Sequence, residues 1–124
     1  MKHLLDIPKF LRSFTYALRG IGHLVKREQN ARIHAVAGLI ALFLCFYFKV
    51  SRMELAVVLV CIGLVFSLET ANTAVEKLLD IVHPQSHAQI AYIKDALAGA
   101  VLVAAIIALC IAGLVFLPHL GINL

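Results

Sequence analysis

The chain is poor in charge and in cysteine, and both shortages exclude classes of protein. Only 15% of its 124 residues are Asp, Glu, Lys or Arg, and 62% are hydrophobic. A soluble core of this size could not bury so much apolar surface, so lipid must cover part of it. The cysteines, Cys45, Cys61 and Cys110, each lie in an apolar run without CxxC spacing. They indicate packing residues rather than a disulfide or a zinc site.

Positive charge is concentrated near the N-terminus. Seven of the 11 Lys and Arg residues precede residue 33, and the net charge is +4. These cations are not interleaved with aromatic residues on a soluble face, so the pattern favours anionic lipid headgroups over nucleic acid as the partner. The first 32 residues also lack a continuous apolar stretch that ends in a small-residue cleavage site, so no signal peptide is expected.

The apolar periodicity predicts an all-α membrane protein with one domain over residues 1–124. An apolar stripe with a basic opposite face predicts an amphipathic helix over 7–27 that lies in the membrane interface. Transmembrane helices are predicted over 30–48, 53–82 and 90–117, with a tight turn at 49–52 and a polar loop at 83–89. Lys and Arg placement puts the N-terminus and the 83–95 loop in the cytoplasm, although Lys49 and Arg52 conflict with this orientation.

The stretch ETANTAVEKLLD places polar side chains along one helical stripe. Glu69, Asn72, Glu76 and Asp80 are spaced so that they fall on the same face. Carboxylates near hydrocarbon are costly unless they are paired or solvated, so the stripe indicates a cation, a proton path or a bound ligand. Glu69 directly follows an apolar run, so it is the costliest of these acids to bury and the strongest candidate for a functional residue. For Asp80, an ordinary headgroup-level charge is an equally good interpretation.

Two further charged groups lie at other helix ends. Glu28 could form a surface ion pair with Arg32, four residues on, or could join Glu76 in holding Mg²⁺, which prefers oxygen ligands. Lys94 could meet a polyphosphate and Asp95 suits a helix N-terminus, although any span can begin with a charged pair. The sequence contains no phosphate loop, GxGxxG, HRD/DFG set, HExxH or GxSxG. An enzyme built on this chain must therefore assemble its site from helix faces.

Three segments together resemble the prokaryotic diacylglycerol kinase family. ETANTAVEKLLD is similar to its E-x-x-N-[TS]-A-[IV]-E-x-x-x-D signature, and the segment from Glu28 to His34 is similar to the E-x-N-x-R-I-H stretch of its undecaprenol kinase branch. Lys94-Asp95 with Ala98-Gly99-Ala100 resembles the segment that opens the family's third span. The resemblance implies a homotrimer in the bacterial inner membrane, with its active site facing the cytoplasm. It implies Mg²⁺- and ATP-dependent phosphorylation of a lipid alcohol, either undecaprenol or diacylglycerol.

The resemblance also implies a role for each matching residue. Glu69 would be the general base on the lipid hydroxyl, Glu28 and Glu76 would hold the metal, and Asn72 would position the phosphates or Glu69. The implied nucleotide contacts are Tyr16, Gln85, Ser86, His87, Lys94 and Asp95, and Gly99 with part of the amphipathic helix would line the lipid site. His34 stands where diacylglycerol-specific members typically carry an acid, which favours undecaprenol.

Two other classes of function fit parts of the sequence. A small proton-coupled transporter or channel would use Glu69 as a relay, but it would need a polar face along the full depth of a span. Residues 53–68 are apolar apart from Glu54 near one end and Ser67 near the other. In a non-enzymatic membrane assembly protein, no function would require four polar side chains to lie close together, namely those of Glu28, Asn72, Glu76 and Lys94.

Overall fold

The computed structural model describes residues 4–124, and these residues form helices and connecting turns without a strand. The helices are α1 (Ile7–Arg27), α2 (Gln29–Tyr47), α3 (Arg52–Val82) and α4 (Ala88–Phe116), followed by a short 3-10 helix, Leu117–Leu120. The predicted all-α architecture is confirmed. The three predicted spans are present, with ends shifted by one or two residues.

A single residue separates α1 from α2. Glu28 is extended (φ −108°, ψ 117°), and its backbone N–H still donates to the Leu24 carbonyl. The Arg32 guanidinium folds back and donates to the carbonyls of Val25 and Lys26, at 3.0 and 2.8 Å. These carbonyls belong to the last turn of α1, which has no intrahelical donors. The predicted Glu28–Arg32 ion pair is therefore wrong, because Arg32 caps the preceding helix instead.

The turn between α2 and α3 is specified by backbone geometry and a capping box. Lys49 adopts a left-handed conformation (φ 52°), and the Val50 N–H donates to the Cys45 carbonyl at 3.1 Å. This is the arrangement in which a helix C-terminus reverses direction. Ser51 Oγ then accepts from the Glu54 N–H while Glu54 Oε1 accepts from the Ser51 N–H, both at 3.1 Å. Glu54 is thus a helix-starting residue.

The connection between α3 and α4 spans only residues 83–87. The residue before a proline avoids the helical region, so α3 ends ahead of Pro84. His87 begins α4, because its Nδ1 accepts from the Gln89 N–H at 3.1 Å. Since α4 starts at Ala88, Asp95 lies about two turns inside the helix. The prediction that Asp95 stabilises a helix N-terminus is therefore wrong.

The packing places α3 between α2 and α4, while α1 contacts α2. One small core lies at the end of the bundle near the α2–α3 turn and contains Cys45, Val58, Val115 and Phe116. Large apolar side chains elsewhere face outward, as Phe43 and Leu109 do. Three helices are long and apolar enough to cross a membrane: Gln29–Tyr47, Arg52–Val82 and Ala88–Leu120. The outward apolar surface and these lengths define a membrane protein.

Candidate active site

A polar pocket of about 270 Å³ opens between α2, α3 and α4. Its polar wall consists of Asn30 and His34 from α2 and Glu69 and Asn72 from α3. The α4 wall is apolar, formed by Ala98, Val101, Leu102 and Ala105. Small side chains on α4 leave room beside the carboxylate and the amide. Two of the predicted site residues, Glu69 and Asn72, therefore share one cavity.

Glu69 is the most buried charged residue of the site, with 3% of its surface exposed. Its Oε2 lies 3.9 Å from Nε2 of His34. Glu69 stands 15 positions along α3 from the capping residue Glu54, which corresponds to about 22 Å at 1.5 Å per residue. A hydrocarbon core of about 30 Å therefore contains Glu69 if Glu54 marks the opposite boundary. A carboxylate at that depth is expensive, and structural support alone does not require one.

Asn72 carries an acceptor that lacks a donor. Its Oδ1 is buried, and it finds no hydrogen-bond partner among residues 4–124. Buried amide oxygens are normally satisfied, and an orphan costs about 1–3 kcal/mol. Thr73, the next residue, is buried to a similar degree but does not line the pocket. The pocket thus presents an amide oxygen that a ligand's hydroxyl, a water or a cation can satisfy.

Glu28 reaches α3 from the junction of α1 and α2. Its Oε1 lies 3.4 Å from the Lys77 ammonium, and Lys77 directly follows Glu76 in α3. Glu76 is half-buried and lies two turns beyond Glu69. Of the two carboxylates predicted to hold metal, Glu28 thus lies beside Lys77 from the α1–α2 junction, and Glu76 is the residue before Lys77 in α3. Among residues 4–124 no three His, Cys, Asp or Glu side chains gather closely enough to bind a metal unaided.

Lys94 joins the ends of α3 and α4. Its ammonium donates to Asp80 Oδ1 at 2.6 Å across the connection of residues 83–87. Both side chains remain partly open, with 33% of Lys94 and 59% of Asp80 exposed. Asp80 thus faces Lys94 rather than the polar pocket. An ammonium has three donors, so Lys94 keeps two for another anion.

The other predicted site residues do not line the polar pocket in a single chain. Tyr16 lies on the exposed face of α1 with the Arg19 guanidinium 5.9 Å from its ring centre. Asp95 is exposed on α4, and Gly99 is half-buried, next to the lining residue Ala98. Gln85, Ser86 and His87 form the exposed connection beyond Asp80. Their predicted contacts with nucleotide or lipid remain predictions.

Two polar residues that line the pocket were not among the predicted site residues. Asn30 and His34 entered the sequence argument only through the motif they share with the undecaprenol kinase branch. Their spacing of four residues puts them on the same face of α2. A polar pair at that spacing, just before an apolar span, is the signal that identifies them.

An apolar groove of about 280 Å³ adjoins the polar pocket. His34 and Ala105 line both cavities, so the two are continuous. Beyond His34 the groove follows small residues of α2 and α4, including Ala37, Gly38 and Ala108, as far as Phe116. A carboxylate at one end of an apolar groove suits an amphipathic ligand with a polar head and a hydrocarbon chain.

Three membrane-capable helices that enclose a buried carboxylate, an amide and an imidazole define a membrane protein with an acidic intramembrane site. The family model for prokaryotic diacylglycerol kinase matches residues 15–116. The chain therefore belongs to the prokaryotic diacylglycerol kinase family. The prediction from the sequence motifs that it is a lipid kinase is confirmed.

Curated relatives agree over nearly the whole chain. A protein of Bacillus subtilis (strain 168) named undecaprenol kinase is 38% identical over 118 residues, which cover 95% of this chain and 96% of that protein. A diacylglycerol kinase of Synechocystis sp. is 37% identical over 91% of this chain and 65% of its own length. A diacylglycerol kinase of Haemophilus influenzae is 29% identical over 89% of this chain and 90% of its own length.

Proposed function

We propose that this chain transfers the γ-phosphate of ATP, in a Mg²⁺-dependent reaction, to the hydroxyl of a membrane lipid alcohol. The observation that carries the proposal is the buried Glu69 carboxylate in a polar pocket that opens into an apolar groove. A lipid alcohol has the matching shape: its hydroxyl fits the polar pocket and its chain fits the groove. Undecaprenol and diacylglycerol are the candidate substrates, because both occur in the names of similar proteins. His34, at a position where diacylglycerol-specific members typically carry an acid, favours undecaprenol.

In this proposal Glu69 is the general base. It accepts the proton of the lipid hydroxyl while the oxygen attacks the γ-phosphorus, and ADP leaves. Phosphoryl transfer depends mainly on positioning and charge neutralisation, so one correctly placed carboxylate can supply the acid–base catalysis that the reaction needs. Asn72 lies in the same pocket, and its free Oδ1 can accept from the hydroxyl or from a water beside Glu69.

The carboxylate oxygens of Glu28 and Glu76 suit Mg²⁺. This ion prefers hard oxygen ligands and is commonly held by one or two carboxylates, with substrate phosphates and waters completing its shell. The free Asn72 oxygen nearby is a further ligand of the same chemical type. Glu28 and Glu76 are the residues proposed to hold the ion, which would neutralise charge on the phosphates. Because the Lys77 ammonium lies beside Glu28, it would have to move away or share the Glu28 carboxylate with the ion when Mg²⁺ binds.

The nucleotide is proposed to lie at the end of α3 and α4 that carries Lys94. The two spare donors of this ammonium suit phosphate oxygens. The remaining proposed nucleotide contacts are Tyr16, Gln85, Ser86, His87 and Asp95, and Gly99 is proposed to contact the lipid. The site is proposed to face the cytoplasm of a bacterial inner membrane, with α1 in the interface and the chain assembled as a homotrimer.

A proton-conducting role is not favoured. The buried face of α3 between its start and Glu69 is formed by Val58 and Val65. A relay needs polar groups or water across the whole bilayer, and these two valines offer neither. The polar side chains gather at one end of the span instead, which suits a site that receives a soluble reactant from one side.

The decisive experiment compares Glu69→Gln with Glu54→Gln in purified protein supplied with ATP, Mg²⁺ and each lipid alcohol. Glu69→Gln keeps the shape of the side chain but removes the base, so the lipid-dependent rate is expected to fall by about 100-fold or more. Glu54→Gln is the matched control on the same helix, since glutamine also serves in a capping box. The control should retain activity. Wild-type turnover by Glu69→Gln would exclude Glu69 as the base.

A further inference from the structure

His34 occupies the junction between the polar pocket and the apolar groove, since it lines both. Its Nε2 faces the Glu69 carboxylate at 3.9 Å, and 20% of its side chain is exposed, against 4% for Glu69. Any lipid alcohol that reaches Glu69 from the groove must pass this imidazole. The position therefore requires an explanation beyond helix packing.

The 3.9 Å separation is too long for a direct hydrogen bond but suits a shared ligand atom. An oxygen at about 2.8 Å from each of the two atoms, an ordinary hydrogen-bond length, fits between them and sees them at an angle of about 90°. A hydroxyl can donate to the carboxylate and accept from an imidazole N–H at the same time. The gap between His34 and Glu69 thus matches one alcohol oxygen.

We propose that His34 is a second catalytic residue, whose imidazole N–H holds the oxygen of the lipid hydroxyl while Glu69 takes its proton. This inference rests on the proposed lipid kinase function. In the step, the hydroxyl proton moves to Glu69, an oxygen–phosphorus bond forms at the γ-phosphorus, and the bond from that phosphorus to ADP breaks. ADP leaves with the electron pair, and Glu69 then releases its proton to water. His34 donates throughout from Nε2 and undergoes no net protonation change.

The test measures kcat, and KM for the lipid alcohol and for ATP, in His34→Leu and His34→Gln. Leucine removes the donor, so kcat should fall by about 10- to 100-fold, while KM for ATP stays within about threefold. Glutamine keeps a side-chain N–H donor, so His34→Gln should recover part of the kcat that His34→Leu loses. Combined with Glu69→Gln, His34→Leu should cause little further loss, because the two residues act together.

The matched control is His119→Gln. His119 also faces a carboxylate, with its Nε2 3.8 Å from Glu54 Oε2, but it lies at the opposite end of the bundle. This variant should keep the wild-type kcat. If His34→Leu does not fold, His34→Ala, which also removes the donor, decides the question through its kcat.

The outcomes separate the two proposals. A wild-type protein that phosphorylates none of the lipid alcohols overturns the proposed function itself. An active wild-type protein whose His34→Leu variant keeps kcat within twofold, or whose His34→Gln variant recovers none of the lost kcat, overturns only the role of His34. A raised lipid KM with unchanged kcat would likewise reduce His34 to a binding contact.

Discussion

At the residue scale, Asn72 offers a direct contrast between stability and function. Its buried Oδ1 has no partner within residues 4–124. Removing an unsatisfied amide from an apolar environment relieves about 1–3 kcal/mol of desolvation cost. Asn72→Leu, which keeps the branching and the number of side-chain heavy atoms, should therefore keep or raise the midpoint of thermal unfolding while lowering the lipid kinase rate about 10-fold or more. The two measurements should move in opposite directions.

The matched control for Asn72 is its neighbour Thr73, which is buried to a similar degree but lies outside the pocket lining. Thr73→Val should keep most of the activity. A marked fall in the unfolding midpoint of Asn72→Leu would contradict the proposal that the Asn72 amide binds a ligand, because it would indicate that the amide has a hydrogen-bond partner within the protein.

How far single residues can be predicted depends on what determines their position. Glu69 could be identified from the sequence, because an acid directly after an apolar run must be buried or solvated at some cost. The partner of Arg32 could not be identified. Spacing of four residues favoured Glu28, but a helix boundary falls at Glu28 and turns Arg32 towards the carbonyls of α1. The Lys94–Asp80 contact likewise depends on how α4 returns along α3.

At the scale of elements, the hairpin of α3 and α4 brings Lys94 to the end of the bundle where nucleotide is proposed to bind. Lys94→Gln should raise KM for ATP about 10-fold and leave KM for the lipid unchanged, because a charged donor to phosphate is lost. The exposed ion pair with Asp80 adds little stability, so thermal unfolding should hardly change. Steady-state kinetics with each substrate varied in turn would measure both constants.

Asp80→Asn supplies the control for the Lys94 experiment. It breaks the same ion pair but leaves the ammonium in place, so KM for ATP should stay near the wild-type value or fall slightly. An equal rise in KM for both variants would mean that the ion pair only holds the hairpin together. Lys94 would then have no contact with phosphate.

The elements themselves were largely predictable, because long apolar runs and Pro84 determine the helices. The ends of the helices were less predictable. The start of α4 depends on the His87 ring, which accepts a hydrogen bond from the Gln89 N–H. Nothing in the sequence HPQSHAQ indicates this contact. This shift of two residues places Asp95 still further from the helix N-terminus, at the eighth residue of α4. Spans can thus be read from hydropathy, whereas capping needs side-chain geometry.

At the scale of the whole molecule, one face of α3 is left uncovered. Its other face packs between α2 and α4, and the exposed face carries small residues at helical spacing. These exposed small residues are Ala56, Gly63, Ser67, Thr70 and Ala74. The Thr70 hydroxyl is already satisfied by the Phe66 carbonyl at 2.8 Å, so the face needs no water. Small residues allow helices to approach closely in lipid, which suits the proposed association of subunits.

The last prediction concerns that assembly. A Cβ added at Gly63 meets nothing within 4 Å among the described residues, so we expect Gly63→Leu to leave the fold of the single chain intact. It would, however, hold neighbouring α3 helices apart if three copies meet through this face. We expect wild-type protein in detergent to sediment with the mass of three chains and Gly63→Leu to shift towards one. Leu109→Phe, on the exposed face of α4, is the control and should keep the trimer mass. A trimer that survives Gly63→Leu would place the subunit contact on another face, since the added side chain cannot fit between closely packed helices.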